Sequence, residues 1–257
     1  MDNTSENSSF FEDILYELFA LPFNRSAEIA SLEQKIYAEL QKHKADICGL
    51  IALMFTAIMS GDRSKAKSLA YKIWEIGGQL PPFFELIYLE NLLSLGLLDM
   101  ATIMLKPRFE QIRNNIDDFY PVMSKFAVMT GNLALLDRLQ AFPSASADDA
   151  LLFAFADIFK QAGCQGQFKD IQKLVLENSA DYLVAYEYNL YDDRGFAELE
   201  IVLYTDFDEM SCLKLQSSID HKLEAYWRSV GKDRLYNHSV LVRNIRQHES
   251  WIENGED

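Results

Sequence analysis

Gly61-Asp62-Arg63-Ser64-Lys65-Ala66-Lys67-Ser68-Leu69 opens a pattern that recurs at 35-residue intervals. The same frame reads GLLDMATIM from Gly96, GNLALLDRL from Gly131 and GQFKDIQKL from Gly166. The fifth residue after each glycine is Ala66, Ala101, Leu136 or Ile171, and the eighth is Leu69, Met104, Leu139 or Leu174. Apolar residues three apart share one face of a helix. Ahead of each glycine lies another apolar helical stretch: IALMFTAIMS, FFELIYLENLLSL, YPVMSKFAVMT and LLFAFADIFKQA. Each unit therefore reads as helix, tight turn, helix. The glycine ends the first helix, because a left-handed terminal residue there meets no Cβ clash. A fixed period of this kind is expected of stacked units that bury one another's apolar faces.

Working outward, Pro81-Pro82 opens one helix at its first turn, and Asp117-Asp118 and Ser146 are candidate N-caps for the next two. Upstream, Ser9-Phe10-Phe11-Glu12 resembles a capping box. Phe10, Phe11, Ile14, Leu15, Leu18 and Phe19 then make one helical face, and a second helix is expected from about Ala27 to His43. The expectation is five helix pairs over residues 10–178.

These features resemble the tetratricopeptide superfamily. Its mid-repeat turn is a glycine followed five residues later by a small residue, as in Gly61…Ala66 and Gly96…Ala101. Gly61, Ala66, Gly77 and Pro81 also look like the pentatricopeptide variant, whose RNA-binding role an acidic chain does not support. The small residue of the family's first helix is replaced by Met54, Leu89 and Phe159 and kept only at Ser124. That of the second helix is replaced by Ile73, Arg108, Pro143 and Asn178. The resemblance implies a mainly α fold: an α-solenoid of about five helix pairs. It also implies a concave surface lined by the first helices. The sixth residue before each marker glycine would project there: Phe55, Glu90, Lys125 and Lys160. Three are charged in otherwise apolar helices.

After Ser179 the period changes from helical to alternating. Val184, Tyr186, Tyr188 and Leu190 share one face of a strand; Ala197, Leu199, Ile201 and Leu203 share one face of the next. Asp192-Asp193-Arg194-Gly195 between them predicts a hairpin. A helix from about Phe207 to Val230 follows, with Leu213, Ile219, Leu223, Tyr226, Trp227 and Val230 as its buried stripe. SVLVRNI, within 237–246, supplies a third strand. This ββαβ unit is small for independent stability and is expected to pack on the last helix pair. The expected division is a disordered tail over 1–9, a repeat domain over 10–179 and a small α+β domain over 180–257. The final stretch, HESWIENGED from His248, is expected to fray.

Chemistry-bearing motifs are sparse. Asp206, Asp208 and Glu209 could hold a divalent metal in a hydrolase or nuclease, since clustered carboxylate oxygens suit Mg²⁺. The favoured reading is a helix start, with Asp206 as N-cap and Glu209 completing a capping box. His43, His221, His238 and His248 have no metal-ligand spacing and read as solvated or structural, with His43 at a helix C-terminus. Cys48, Cys164 and Cys212 are three and far apart, which points to small core residues in a reducing cytoplasm. Tyr182, Tyr186, Tyr188 and Tyr191 read as cross-strand packing more than as a binding face.

Formal net charge is -15 over 257 residues. A phosphate backbone or anionic membrane is bound by clustered Lys and Arg, and no such cluster exists here. The longest apolar run, Ile47 to Met59, is shorter than the about 20 residues a bilayer requires. The start, MDNTSENSS, is polar and acidic, unlike a secretion leader. The sum is a non-catalytic binding or adaptor protein, needing no cofactor, whose groove holds a protein or peptide partner, with basic partners attracted by the net charge. The alternatives are the metal enzyme and an acidic inhibitor or immunity-type protein that masks a basic partner.

Overall fold

The computed structural model describes residues 3–42, 46–111, 119–141, 147–193, 196–231 and 238–248. Ten helices in five pairs come first: α1 (Asn3–Phe19) and α2 (Ser26–Lys42), α3 (Ile47–Met59) and α4 (Arg63–Ile76), α5 (Pro82–Ser94) and α6 (Leu98–Gln111), α7 (Tyr120–Thr130) and α8 (Leu133–Leu139), α9 (Ala147–Gln161) and α10 (Gln165–Ser179). β1 (Ala185–Asp193), β2 (Phe196–Thr205), α11 (Glu209–Ser229) and β3 (His238–Asn244) follow, with a 3-10 turn at Ile245–Gln247. The chain is thus mainly helical with a small three-stranded sheet near its C-terminus. No described helix is long and apolar enough to cross a membrane.

The turns inside four pairs share one hydrogen-bond pattern. Gly61 N–H donates to Ile58 O and Asp62 N–H to Ala57 O; Gly96 and Leu97 bond to Leu93 and Leu92 in the same way, and Gly131 and Asn132 to Val128 and Ala127. This is the double bond that closes a helix on a left-handed residue. The three glycines have φ of 75°, 69° and 62°. At two of these turns the residue after the glycine also caps the next helix: Asp62 accepts from Lys65 N–H at 3.0 Å, and Asn132 from Leu135 N–H at 3.0 Å.

The fourth turn corrects the expected register. Gly166 lies inside α10, and the left-handed residue is Gly163 (φ 64°). Gly163 N–H donates to Lys160 O and Cys164 N–H to Phe159 O, the same pair of bonds three residues earlier than the period predicts. At the other end, α1 begins at Asn3, so Ser9 is interior to the helix and residues 3–9 of the expected tail are helical. Once the Phe11–Leu18 face is anchored, extending a helix upstream fixes one residue per bond and needs no new nucleus. The expected caps at Asp117-Asp118 and Ser146, the Arg194-Gly195 corner, His43 and residues 249–257 lie outside the described residues.

First helices pack on first helices through most of the molecule: α3 on α1, α5 on α3, and α7 on α5. α3 is buried on every side from Cys48 to Met59, which its uniformly apolar sequence requires. The last pair departs from this. α10, a second helix, packs on α7, while α9 packs on β1 and β2.

β1 and β2 are antiparallel, with Tyr186 opposite Leu203, Tyr188 opposite Ile201 and Leu190 opposite Leu199, so the two expected stripes share one face. β3 joins β2 in parallel, which requires a crossover, and α11 supplies it. Along α11 the buried residues are Cys212, Ile219, Leu223 and Trp227, whereas Leu213 is exposed, one position off the expected stripe. The sheet meets more than the last pair. β1 packs on α5, Leu183 approaches the Gly96 turn, and Ile245 and Asp206 approach the Gly61 turn. One hydrophobic cluster joins helices and strands.

Candidate functional site

The apolar first helices leave one cleft between them, a cavity of about 270 Å³ lined by Phe19, Phe55, Ile87, Glu90, Asn91, Ser94 and Lys125. Four successive first helices contribute: α1 gives Phe19, α3 Phe55, α5 the next four and α7 Lys125. The rings of Phe19 and Phe55 meet edge to face, with centroids 5.0 Å apart. Opposite them Lys125 Nζ donates to Glu90 Oε2 at 2.8 Å. The Lys125 side chain is only 8% exposed, so its charge requires this partner. Asn91, also buried, has an amide nitrogen with no acceptor among the described residues.

β1 packs on α5, the helix that supplies most of the cleft lining. Glu187, on β1, accepts from His248, with Oε1 and Nε2 2.7 Å apart. The His248 ring is stacked on Phe23, between α1 and α2, with centroids 4.2 Å apart, and rests on Tyr204 of β2 at 4.6 Å. Its carbonyl accepts from Phe23 N–H at 3.3 Å. His248 is therefore buried and pinned, contrary to the expected fraying from this residue. Burial works to raise the Glu187 pKa, but the hydrogen bond and charge of His248, the Lys125 charge and a Tyr204 hydrogen bond outweigh it, and the net shift is downward. Basic and acidic side chains thus alternate from His248 through Glu187 and Lys125 to Glu90.

Of the four residues expected on the concave surface, Phe55, Glu90 and Lys125 come together. Lys160 does not. It pairs with Asp157 at 2.9 Å and with Asp137. The turn at Gly163 explains this, because the sixth residue before it is Asp157. Sequence reasoning missed Phe19, Asn91, Glu187 and His248 as site residues. Asn91 carried a signal, as a second polar residue beside Glu90 in an apolar helix.

The Asp206, Asp208 and Glu209 stretch is a helix start with its roles shifted. β2 runs through Thr205 and α11 begins at Glu209, so Asp208 is the N-cap, accepting from Ser211 N–H at 2.8 Å. That backbone hydrogen bond, before the Ser211 side chain, holds the Asp208 carboxyl below its ordinary range. Among the described residues no group of three His, Cys, Asp or Glu side chains is placed to hold a metal. All three cysteines are buried, and burial, then the charge and hydrogen bond of Asp46, push the Cys48 thiol up to about 12. His238 is buried beside Gln172 at 3.4 Å, and His221 is exposed. Tyr186 is buried, while Tyr182 and Tyr191 are exposed.

No family model, curated protein or solved structure matches the chain.

Proposed function

We propose that this is a non-catalytic binding protein, a tetratricopeptide-like stack of helix pairs whose cleft between first helices holds a protein or peptide partner. The observation that carries the reading is the convergence of Phe55, Glu90 and Lys125, at one repeat position in three successive units, on one cavity. The packing of α1, α3, α5 and α7 in series supports a solenoid over residues 10–179. An apolar wall with a few fixed polar groups is the usual composition of a recognition site. The strand β1 and His248 cover part of the face that an open solenoid would offer. The cleft therefore grips one or two side chains of a partner, not a long segment. Net charge of -15 favours a partner with basic character around those side chains.

Affinity capture from native lysate tests this when the wild-type chain is compared with Ser94→Leu, which fills the cleft from within. A partner retained by the wild type and lost from a Ser94→Leu chain of unchanged circular dichroism is the expected result. Identical captured sets from both would sink the proposal. If Ser94→Leu does not fold, Glu90→Leu at the cleft wall replaces it.

A further inference from the structure

The sheet ends differently at its two edges. In the order β1-β2-β3, β3 is one edge and β1 the other. A bare edge offers N–H and C=O groups to any extended chain. On β3 the N–H groups that face away from β2 are met by side chains: Val242 donates to Gln216 Oε1 at 3.2 Å, and Asn244 to Gln247 Oε1 at 3.3 Å. Backbone direction alternates along a strand, so the register carries this parity across the sheet. Odd-numbered residues of β2 bond to β3, and odd-numbered residues of β1 bond to β2. Leu190, opposite Leu199, therefore turns its N–H and C=O outward. Among the described residues no hydrogen bond reaches those two groups.

Beside Leu190 lies a groove of about 460 Å³, lined by Asp149, Tyr188, Asn189, Leu190 and Tyr191. It shares no lining residue with the cleft between first helices. At roughly 3.3 Å per residue, its four strand residues offer about 13 Å of edge to an added strand. The surroundings are acidic. Asp149, in the first turn of α9, stands in the groove wall. Glu200, across from Asn189, accepts from Asn189 Nδ2 at 3.1 Å and from the Tyr191 hydroxyl at 3.2 Å. Asp192, exposed, follows along the strand. Arg243, whose charge acts on Tyr191, stands on β3 at the far edge. A second copy of this edge would set these carboxylates against their like, and an acidic segment would meet the same repulsion. A basic segment is attracted.

We propose that β1 is a docking strand: an extended segment of a protein partner, carrying Lys or Arg, adds to the sheet at Leu190 and sets a basic side chain toward Asp149. The test titrates the full chain with acetyl-Lys-Val-Lys-Val-Lys-Val-Lys-amide, and with the same peptide carrying Glu in place of Lys, and follows backbone amides by NMR. At saturation the lysine peptide should slow hydrogen exchange of the Leu190 amide about tenfold or more, while Asn189, already bonded within the sheet, changes little. The glutamate peptide should leave Leu190 unchanged. Asp149→Asn should weaken the lysine peptide about fivefold, the effect of one part-exposed charge pair. Leu190→Pro removes the outward N–H, keeps the ladder to β2 and should abolish binding. The wild-type exchange result stands by itself if that variant does not fold. No binding of the lysine peptide, binding with Leu190 exchange unchanged, or equal slowing by both peptides overturns the proposal. Binding indifferent to Asp149→Asn overturns the role of that carboxylate. None of these outcomes bears on the cleft, which Ser94→Leu tests.

Discussion

The α7–α8 turn and the α9–α10 turn are built from the same two hydrogen bonds, yet one is locked by its neighbours and the other is open. A Cβ on Gly131 would lie 2.4 Å from Lys169 Cα, whereas one on Gly163 would meet nothing within 4 Å. The cause is what each pair packs against. α7 sits on α5 and receives α10 across its C-terminal turn, so backbone meets backbone there. α9 faces the sheet, and its turn projects away from contact. The 35-residue period holds where a helix pair stacks on a helix pair and slips by three residues where the next surface is a sheet. The slip takes Lys160 away from the cleft.

Substitutions can break this comparison, beginning with the largest effect. Gly131→Ala combines a left-handed strain of about 1–2 kcal/mol with overlap against the α10 backbone, and should lower unfolding free energy by about 3 kcal/mol or more. Urea denaturation measures it, and a loss under about 1 kcal/mol would mean that α10 does not press on this turn.

Next comes the contact that the sheet makes with the helices. Glu187→Gln leaves Lys125 and His248 without their shared carboxylate and should cost about 2 kcal/mol at pH 7. Glu187 has a folded pKa below its ordinary 4.5, so its contribution is present above that range and is lost as pH falls through the folded value. The gap in melting temperature between wild type and variant should therefore close on acidification below about pH 4. A gap that stays constant down to pH 2 would show that the Glu187 charge is not what holds the sheet against the cleft.

Gly163→Ala tests the open turn. It should cost about 1–2 kcal/mol, from backbone strain alone. Gly166→Ala, in the first turn of α10 with free space around it, should stabilise by about 0.5 kcal/mol. Thermal melts of the two variants separate the registers, since a period fixed at Gly166 predicts the opposite order.

Much of this fold is legible in the sequence, for reasons that also mark where it stops. Helices and strands came through because apolar periods of 3.6 and 2 are local. The face shared by Tyr186, Leu190, Leu199 and Leu203 follows from alternation, but the register does not: the turn expected over residues 192–195 is shortened by β1 running through Asp193 and β2 starting at Phe196. Register within the last pair did not come through. A slip of three residues turns the helix face by only about 60°, so Ile171 is buried in either frame. Cys212 and Leu213 are similarly interchangeable by hydrophobicity. At the cleft, Phe55, Glu90 and Lys125 stood out as one repeat position. Glu187 and His248 carried no such mark, because their meeting depends on a strand and a C-terminal segment folding back on the first helix pair. No short-range pattern encodes that contact.

Hydrogen–deuterium exchange of the full chain, with and without a partner lost from Ser94→Leu, tests the central claim most directly. The account predicts added protection in α1, α3, α5 and α7 around Phe19, Phe55, Ile87 and Lys125. Protection confined to α11 and the Asp206–Asp208 stretch, with the cleft unchanged, would contradict it.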